Sequence, residues 1–357
     1  MSRVMASDYM AFAKLESGAR FNLATSGVAN ADFADLGPLP DLKQYGDNGY
    51  GWPPLLEAIA ARFGAGCENV VTATGTAFAN HLAFAALVQP GDEVLIETPT
   101  YELLVSALKY LGACLIPFGR RVDQAWRLDP AAVVAAITPR TRLVVLTNLH
   151  NPSSNLAPLA DIAIIAEAAA KVGAHVLVDE VYLELMAGPH GAIPTSFTPG
   201  GNVIVTSSLT KAYGLTGLRC GWILAPAELA HRMWRLNDLF GSTANHPGEQ
   251  LSLWAFGRLD GLRTRAGAIL EENRAAYRAV LGGHPALEQT IFDHGTTVFP
   301  RLLHEDGDSL LRRLKAEHET SVVPGRFFGA PNHIRIGLGA DPAMTRAGLE
   351  RLAAALG

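Results

Sequence analysis

Cysteine is scarce in this chain of 357 residues: Cys67, Cys114 and Cys220 are odd in number and far apart. That pattern excludes a disulfide framework and points to a reducing compartment, with the cytoplasm as the expected location. Charge is sparse as well. Charged residues make up 18 %, the formal net charge is −5, and no long basic run occurs. Neither nucleic acid nor an anionic membrane surface is therefore expected as a partner. Long hydrophobic runs are missing: the apolar stretch 162–178 is interrupted by Glu167, Lys171 and His175, and reads as a helix followed by a strand rather than a membrane span. The N-terminal region has no uninterrupted apolar core and no cleavage signature, so no signal peptide is expected. There is no fixed-period repeat. A Gly-x4-Gly-Lys-Ser/Thr loop is also lacking, and no metal site is expected.

What is present is a globular composition, 49 % apolar, in a chain long enough for two domains with sizeable cores. From residue 70 to residue 223, short β-branched runs alternate with helical patterns, which predicts an α/β domain with a mainly parallel sheet and helices on both faces. Expected strands cover 70–73, 93–97, 114–118, 142–147, 175–179 and 203–206. Beyond residue 224 the pattern changes to helices over 229–239 and 251–281, a strand over 297–301, a helix over 309–319 and a closing helix over 343–356. This reads as a smaller α+β domain. The expected division is 46–240 for the large domain, with 1–45 and 241–357 forming the small one. A short amphipathic helix is expected over 9–16.

The chemistry concentrates in Ser208-Leu209-Thr210-Lys211, followed by Gly214, Gly217 and Arg219. A lone lysine in such a turn-rich segment is ordinarily a solvated surface residue. Here Arg219, charged at any working pH, would favour the neutral amine of Lys211 if it lies nearby. A neutral amine is a nucleophile toward aldehydes. The hydroxyls of Ser208 and Thr210 with the guanidinium make a phosphate cradle. Pyridoxal 5′-phosphate (PLP) carries both an aldehyde and a phosphate. A second anion site is expected at Thr74-Gly75-Thr76, where a strand meets a helix N-terminus. Asp179 ends a buried strand. Without a phosphate-binding loop upstream it reads as the partner of a protonated ring nitrogen rather than a magnesium ligand. Arg335, between two isoleucines in a strand, needs an anion, either a structural carboxylate or a ligand.

The lysine segment resembles the signature of class I/II aminotransferases, members of the fold type I PLP-dependent (aspartate aminotransferase) superfamily. The resemblance runs from about Asn22 to Arg335. It implies a Schiff base (internal aldimine) between Lys211 and PLP, and amino-group transfer between an L-amino acid and a 2-oxo acid. It places Thr74, Gly75, Thr76, Ser208, Thr210 and Arg219 around the cofactor phosphate. It further implies that Tyr101, after Thr98-Pro99-Thr100, stacks on the pyridine ring, and that Asn151 and Tyr182 approach its ring hydroxyl. Asp179 then faces the ring nitrogen. For the substrate, it implies that Arg335 binds the α-carboxylate and that Asn151 and the backbone at Gly27 lie close by. Tyr45, with Tyr50 as a rival, is placed against the phosphate of a neighbouring subunit, which implies a homodimer. Ser154 departs from the family's usual glycine and puts the local turn in question. The same motifs serve PLP-dependent C–S lyases, other eliminases and cyclising synthases, which remain alternatives. A DNA-binding regulator on this fold would need a further domain and is not expected.

Overall fold

Seven strands form the central sheet: β1 Val70–Thr74, β2 Glu93–Thr98, β3 Cys114–Gly119, β4 Thr141–Thr147, β5 His175–Asp179, β6 Val203–Ser208 and β7 Cys220–Leu224. Their order is β1-β7-β6-β5-β4-β2-β3. This architecture comes from a computed structural model, which describes residues 4–47, 49–187 and 193–357. The five strands β2 to β6 pair in parallel, whereas β7 runs antiparallel to both neighbours. The reason is local. A parallel return needs a long crossover, and only the short helix Thr210–Tyr213 and a turn of 3-10 helix separate β6 from β7. The strand interiors are buried, with Val94, Leu95, Val144, Val145, Leu177 and Val205 inaccessible to solvent. Such uniformly apolar runs require helices on both faces.

The C-terminal ends of β4, β5 and β6 lie side by side: Thr147 is opposite Asp179, and Asp179 is opposite Thr206. Helix α1 (Thr76–Leu87) starts next to them, with Gly75 as its N-cap. This is the end of an α/β sheet where ligands bind.

A second core contains the antiparallel strands β8 Thr297–Val298, β9 Val323–Pro324 and β10 Ile334–Gly337. It packs against helices Leu259–Leu281, Gly307–Glu317 and Pro342–Leu356. The first core reaches past 46–240 to Leu36, Ala255, Leu259 and Leu262. The two cores meet along the long helix Leu259–Leu281, whose first turn packs into the first core and whose later turns pack into the second.

Three expected elements are interrupted. The 251–281 helix is two helices, His246–Phe256 and Leu259–Leu281. Gly257 is a poor helix former, and the Arg258 guanidinium donates to Trp254 O at 2.7 Å, filling a carbonyl that the first helix leaves open. The 297–301 strand splits into Thr297–Val298 and Arg301–Leu302 around Pro300, which has no N–H for a ladder. The 9–16 helix is one α turn, Asp8–Ala11, that widens into a π turn, Phe12–Glu16. Its apolar face still buries Tyr9 and Phe12.

Candidate active site

Lys211 stands in the short helix after β6, and its Nζ donates to Ser26 Oγ at 2.9 Å. Gly27 makes room for it: a Cβ there would lie 3.1 Å from Lys211 Cδ. Burial pulls the amine down to about 8, with Arg335 and then Arg219 adding to the effect and Asp179 opposing it. The sequence expectation named Arg219 as the cause; burial and Arg335 outrank it. The Tyr182 hydroxyl bonds the same Ser26, and burial pushes it up to about 12.

Asp179 is 5 % exposed. Its carboxylate accepts from Asn80 Nδ2 at 2.8 Å and from the Val181 N–H at 3.1 Å. Asn80 is fixed in turn by Thr206, whose Oγ1 donates to Asn80 Oδ1 at 2.6 Å. Burial raises the Asp179 carboxyl to about 6 despite these donors. Among the described residues no cation forms an ion pair with it, although Lys211 lowers it through space, and it lines the cavity described below.

The anion corner lies between α1 and the β6–β7 turn. Gly75 has φ +78, and a Cβ on it would come within 2.2 Å of Arg219 Nη2. Gly221 likewise abuts the Gly75 backbone, where a Cβ would meet Gly75 C at 2.5 Å. These two glycines let the turn close on the guanidinium. Arg219 Nη2 donates to Thr74 O at 3.2 Å, so Thr74 serves through its carbonyl. Thr76 Oγ1 is buried with no partner, a group that needs an acceptor or donor from a ligand. Ser208 Oγ accepts from the Thr210 N–H at 3.4 Å, and both residues line the same cavity.

That cavity, about 230 Å³, brings together Lys211, Asp179, Asn151, Tyr101, Tyr182 and the phosphate candidates Thr76 and Arg219. Tyr101 forms one wall, edge-on to Tyr9 with ring centroids 5.3 Å apart. Asn151 is held by its N–H on Thr147 Oγ1 at 2.9 Å, and its Oδ1 accepts from Arg335 Nη1 at 3.2 Å. Arg335 is only 1 % exposed. Its other acceptors, Tyr9 Oη at 2.9 Å and Ala24 O at 3.3 Å, are neutral too. Among the described residues no carboxylate pairs with it, which rules out the structural ion pair as its partner. A buried guanidinium without a counter-ion is costly, so this position favours an anion supplied from outside the chain.

Ser154 is explained by its surroundings. It has φ +69, where glycine is usual, yet its Oγ donates to Thr297 O at 2.8 Å and ties the Asn151 loop to β8. Gly295 supplies the space, since a Cβ there would lie 2.3 Å from Ser154 Cβ. Tyr45 is 80 % exposed and joins none of these groups within the chain. Its rival Tyr50 is engaged at home: its hydroxyl donates to Asp238 at 3.3 Å and its ring packs on Trp234. Sequence reasoning missed Tyr9, Ser26 and Asn80. Only Asn80 left a trace, as an amide in an otherwise apolar helix.

An amine of lowered basicity, a buried carboxylate and an anion corner with an unpartnered hydroxyl fit one cofactor. Set at the C-terminal ends of a mainly parallel sheet, they define a fold type I PLP-dependent enzyme. The comparisons narrow this further. The family profile of aminotransferase class I and II matches residues 24–356. Capreomycidine synthase of Streptomyces vinaceus is 32 % identical over 95 % of this chain and 90 % of its own length. Arginine–pyruvate transaminase of Pseudomonas aeruginosa is 30 % identical over 94 % of this chain and 90 % of its own. A PLP-dependent aminotransferase from Streptococcus suis superposes with a TM-score of 0.87 at 24 % identity, over 98 % of this chain and 96 % of that one. The chain belongs to the class I and II aminotransferase family. It is a PLP-dependent aminotransferase, acting between an amino acid and a 2-oxo acid. Among the described residues no helix is long and apolar enough to cross a membrane.

Proposed function

We propose that Lys211 carries the proton transfers of an aminotransferase selective for neutral or weakly polar amino acids over aspartate and glutamate. The observation that carries the reading is the convergence of Lys211 and Asp179 on one cavity, two of whose lining residues, Tyr9 and Asn151, bond the unpaired Arg335 behind them. PLP bound there would supply a sink for the electron pair left on the substrate Cα when its proton is removed. The neutral amine of Lys211 takes the proton from the substrate Cα and returns it. Ser26 holds that amine in place through its hydroxyl. Asp179, as a carboxylate, keeps a proton on the ring nitrogen. Thr76, Ser208, Thr210 and Arg219 hold the phosphate, Gly75 lets the turn approach it, and Tyr101 and Tyr182 flank the ring. Arg335 and Asn151 bind the α-carboxylate, with the Gly27 backbone beside Lys211.

Selectivity would follow from a loop that offers no cation to a side-chain carboxylate. The loop 241–250 contains no lysine or arginine. Lys109 is exposed, and Arg20 is exposed and paired with Glu319. A side-chain carboxylate in the closed site would lack a partner, at a cost in affinity. The test is kcat/KM over a panel of amino acids with one common 2-oxo acid. Aspartate ranking first would overturn the selectivity. Arginine belongs in the panel, because one relative's name carries it.

The functional unit proposed is a homodimer in which Tyr45 reaches the partner's phosphate. Leu39, Leu42, Leu239 and Phe240 are exposed apolar side chains, which supports a covering second copy. Hybrids of Lys211→Ala with an impaired Tyr45→Phe subunit should regain activity; a fully active monomer refutes the proposal. The free, separated cysteines support a cytoplasmic location. A cyclising synthase is the second reading, favoured by the capreomycidine synthase relative and by a PLP-dependent cyclase of TM-score 0.83 and 25 % identity covering 93 % of this chain and 91 % of that one. Turnover without any 2-oxo acid would support it, and release of pyruvate and ammonia would mark a lyase instead.

A further inference from the structure

We infer that Tyr9 is a direct ligand of the substrate α-carboxylate, acting beside Arg335. The inference rests on the proposed role of Arg335 and adds a residue that the family resemblance does not assign. Tyr9 Oη accepts from Arg335 Nη2 at 2.9 Å. A phenol that accepts still has its own proton to give. Among the described residues that proton has no acceptor. Tyr9 lines the same cavity as Lys211 and Asn151, so the free O–H is available to a ligand there.

The donor count on Arg335 points the same way. A guanidinium has five N–H donors. Asn151 Oδ1 takes one from Nη1, and Tyr9 Oη and Ala24 O take both from Nη2. Nε has no partner. The guanidinium thus keeps unused donors for an anion, while Nη2 is already engaged by Tyr9 and Ala24. The Tyr9 hydroxyl can then complete the set, because the cation polarises it and makes it a stronger donor.

The side chain is held for this task. Its ring is 7 % exposed and packs edge-on against Tyr101 at 5.3 Å and Phe327 at 5.7 Å. The turn that carries it is pinned by Ser7, whose Oγ accepts from the Met10 N–H at 3.1 Å and donates to the Glu102 carboxylate. A mere space-filler for Arg335 would look alike in the ligand-free protein but would have to leave when substrate binds. The two roles predict opposite effects of deleting the hydroxyl.

The experiment uses holoenzyme of wild type, Tyr9→Phe, Tyr9→His and Arg335→Lys. Each is checked for cofactor content and thermal unfolding, then assayed with the best amino acid of the panel and with its carboxamide. Propionate is titrated as a competitive ligand. Tyr9→Phe should raise KM and the propionate inhibition constant about ten- to a hundredfold, the loss of one hydrogen bond to a charged group. kcat should stay within about threefold, since the bond is made in ground and transition states alike. The preference for acid over carboxamide should shrink, and Tyr9→His, which keeps a ring donor, should recover part of it. Equal or tighter binding in Tyr9→Phe, with Arg335→Lys impaired, would show a space-filler and overturn the inference. No effect in either variant would remove Arg335 from the carboxylate site and the inference with it.

Discussion

Replacing Asp179 by asparagine should flatten the pH dependence of the cofactor-free fold while weakening its hold on PLP. The wild-type carboxyl rises from its ordinary 3.8 to about 6, chiefly through burial. A rise of that size corresponds to about 3 kcal/mol. The folded value lies above the unfolded one, so this stability is fully present below the ordinary value and is lost as pH rises through about 6. At neutral pH the buried charge therefore destabilises the cofactor-free protein. Asparagine removes that charge but adds a conflict. Asn80 Nδ2 and the Val181 N–H both donate to the carboxylate oxygens, and an amide has one oxygen, so one donor faces an NH2 group at a cost of about 1–3 kcal/mol. The variant should thus be as stable as wild type at pH 7 or up to about 2 kcal/mol more so, and clearly less stable at about pH 4. Urea unfolding of both cofactor-free proteins across this range measures the difference. Glu180, pushed up to about 7 chiefly by burial and in part by Asp179, titrates in both, and only the part due to burial cancels in the comparison. Equilibrium dialysis should show weaker PLP binding by the variant. Parallel stability profiles, or a wild type that gains on the variant with rising pH, would refute the argument.

Borohydride treatment of the holoenzyme should fix the pyridoxyl group on the peptide containing Lys211, and Lys211→Ala should lose activity by at least about 10²–10⁴-fold; a label elsewhere moves the site. Gly75→Ala puts a Cβ 2.2 Å from Arg219 Nη2 at a φ of +78, so PLP affinity by equilibrium dialysis should drop about tenfold or more, and unchanged affinity would show that Arg219 does not hold the phosphate. Ser154→Ala keeps the left-handed strain but loses the bond to Thr297, predicting a loss of about 1–2 kcal/mol in denaturant unfolding. Ser154→Gly relieves the strain and should lose less, and the reverse order would mean that the hydroxyl does not offset the backbone.

Much of the fold was legible because its causes are local. The β-branched runs at 93–97 and 142–147 became buried strands. Helix ends were harder: the break at Gly257 depends on Arg258 filling a carbonyl of the preceding helix and bonding Leu36 O, a partner far away in the chain. The site divides along the same line. Lys211, Asp179, Asn151 and Arg219 each sit in a segment whose neighbours announce it. Ser26 meets Lys211 across 185 positions, and Tyr9 meets Arg335 across 326.

The sequence by itself determined the mainly parallel sheet, the lysine, the anion corner and hence the cofactor class, because the residues that act together there are also close in the chain. Only the tertiary structure decided that no carboxylate among the described residues pairs with Arg335, that Ser26 holds the amine, and that burial and Arg335 tune Lys211 more than its sequence neighbour Arg219 does. Desolvation and charge act through space, over distances that chain spacing does not encode.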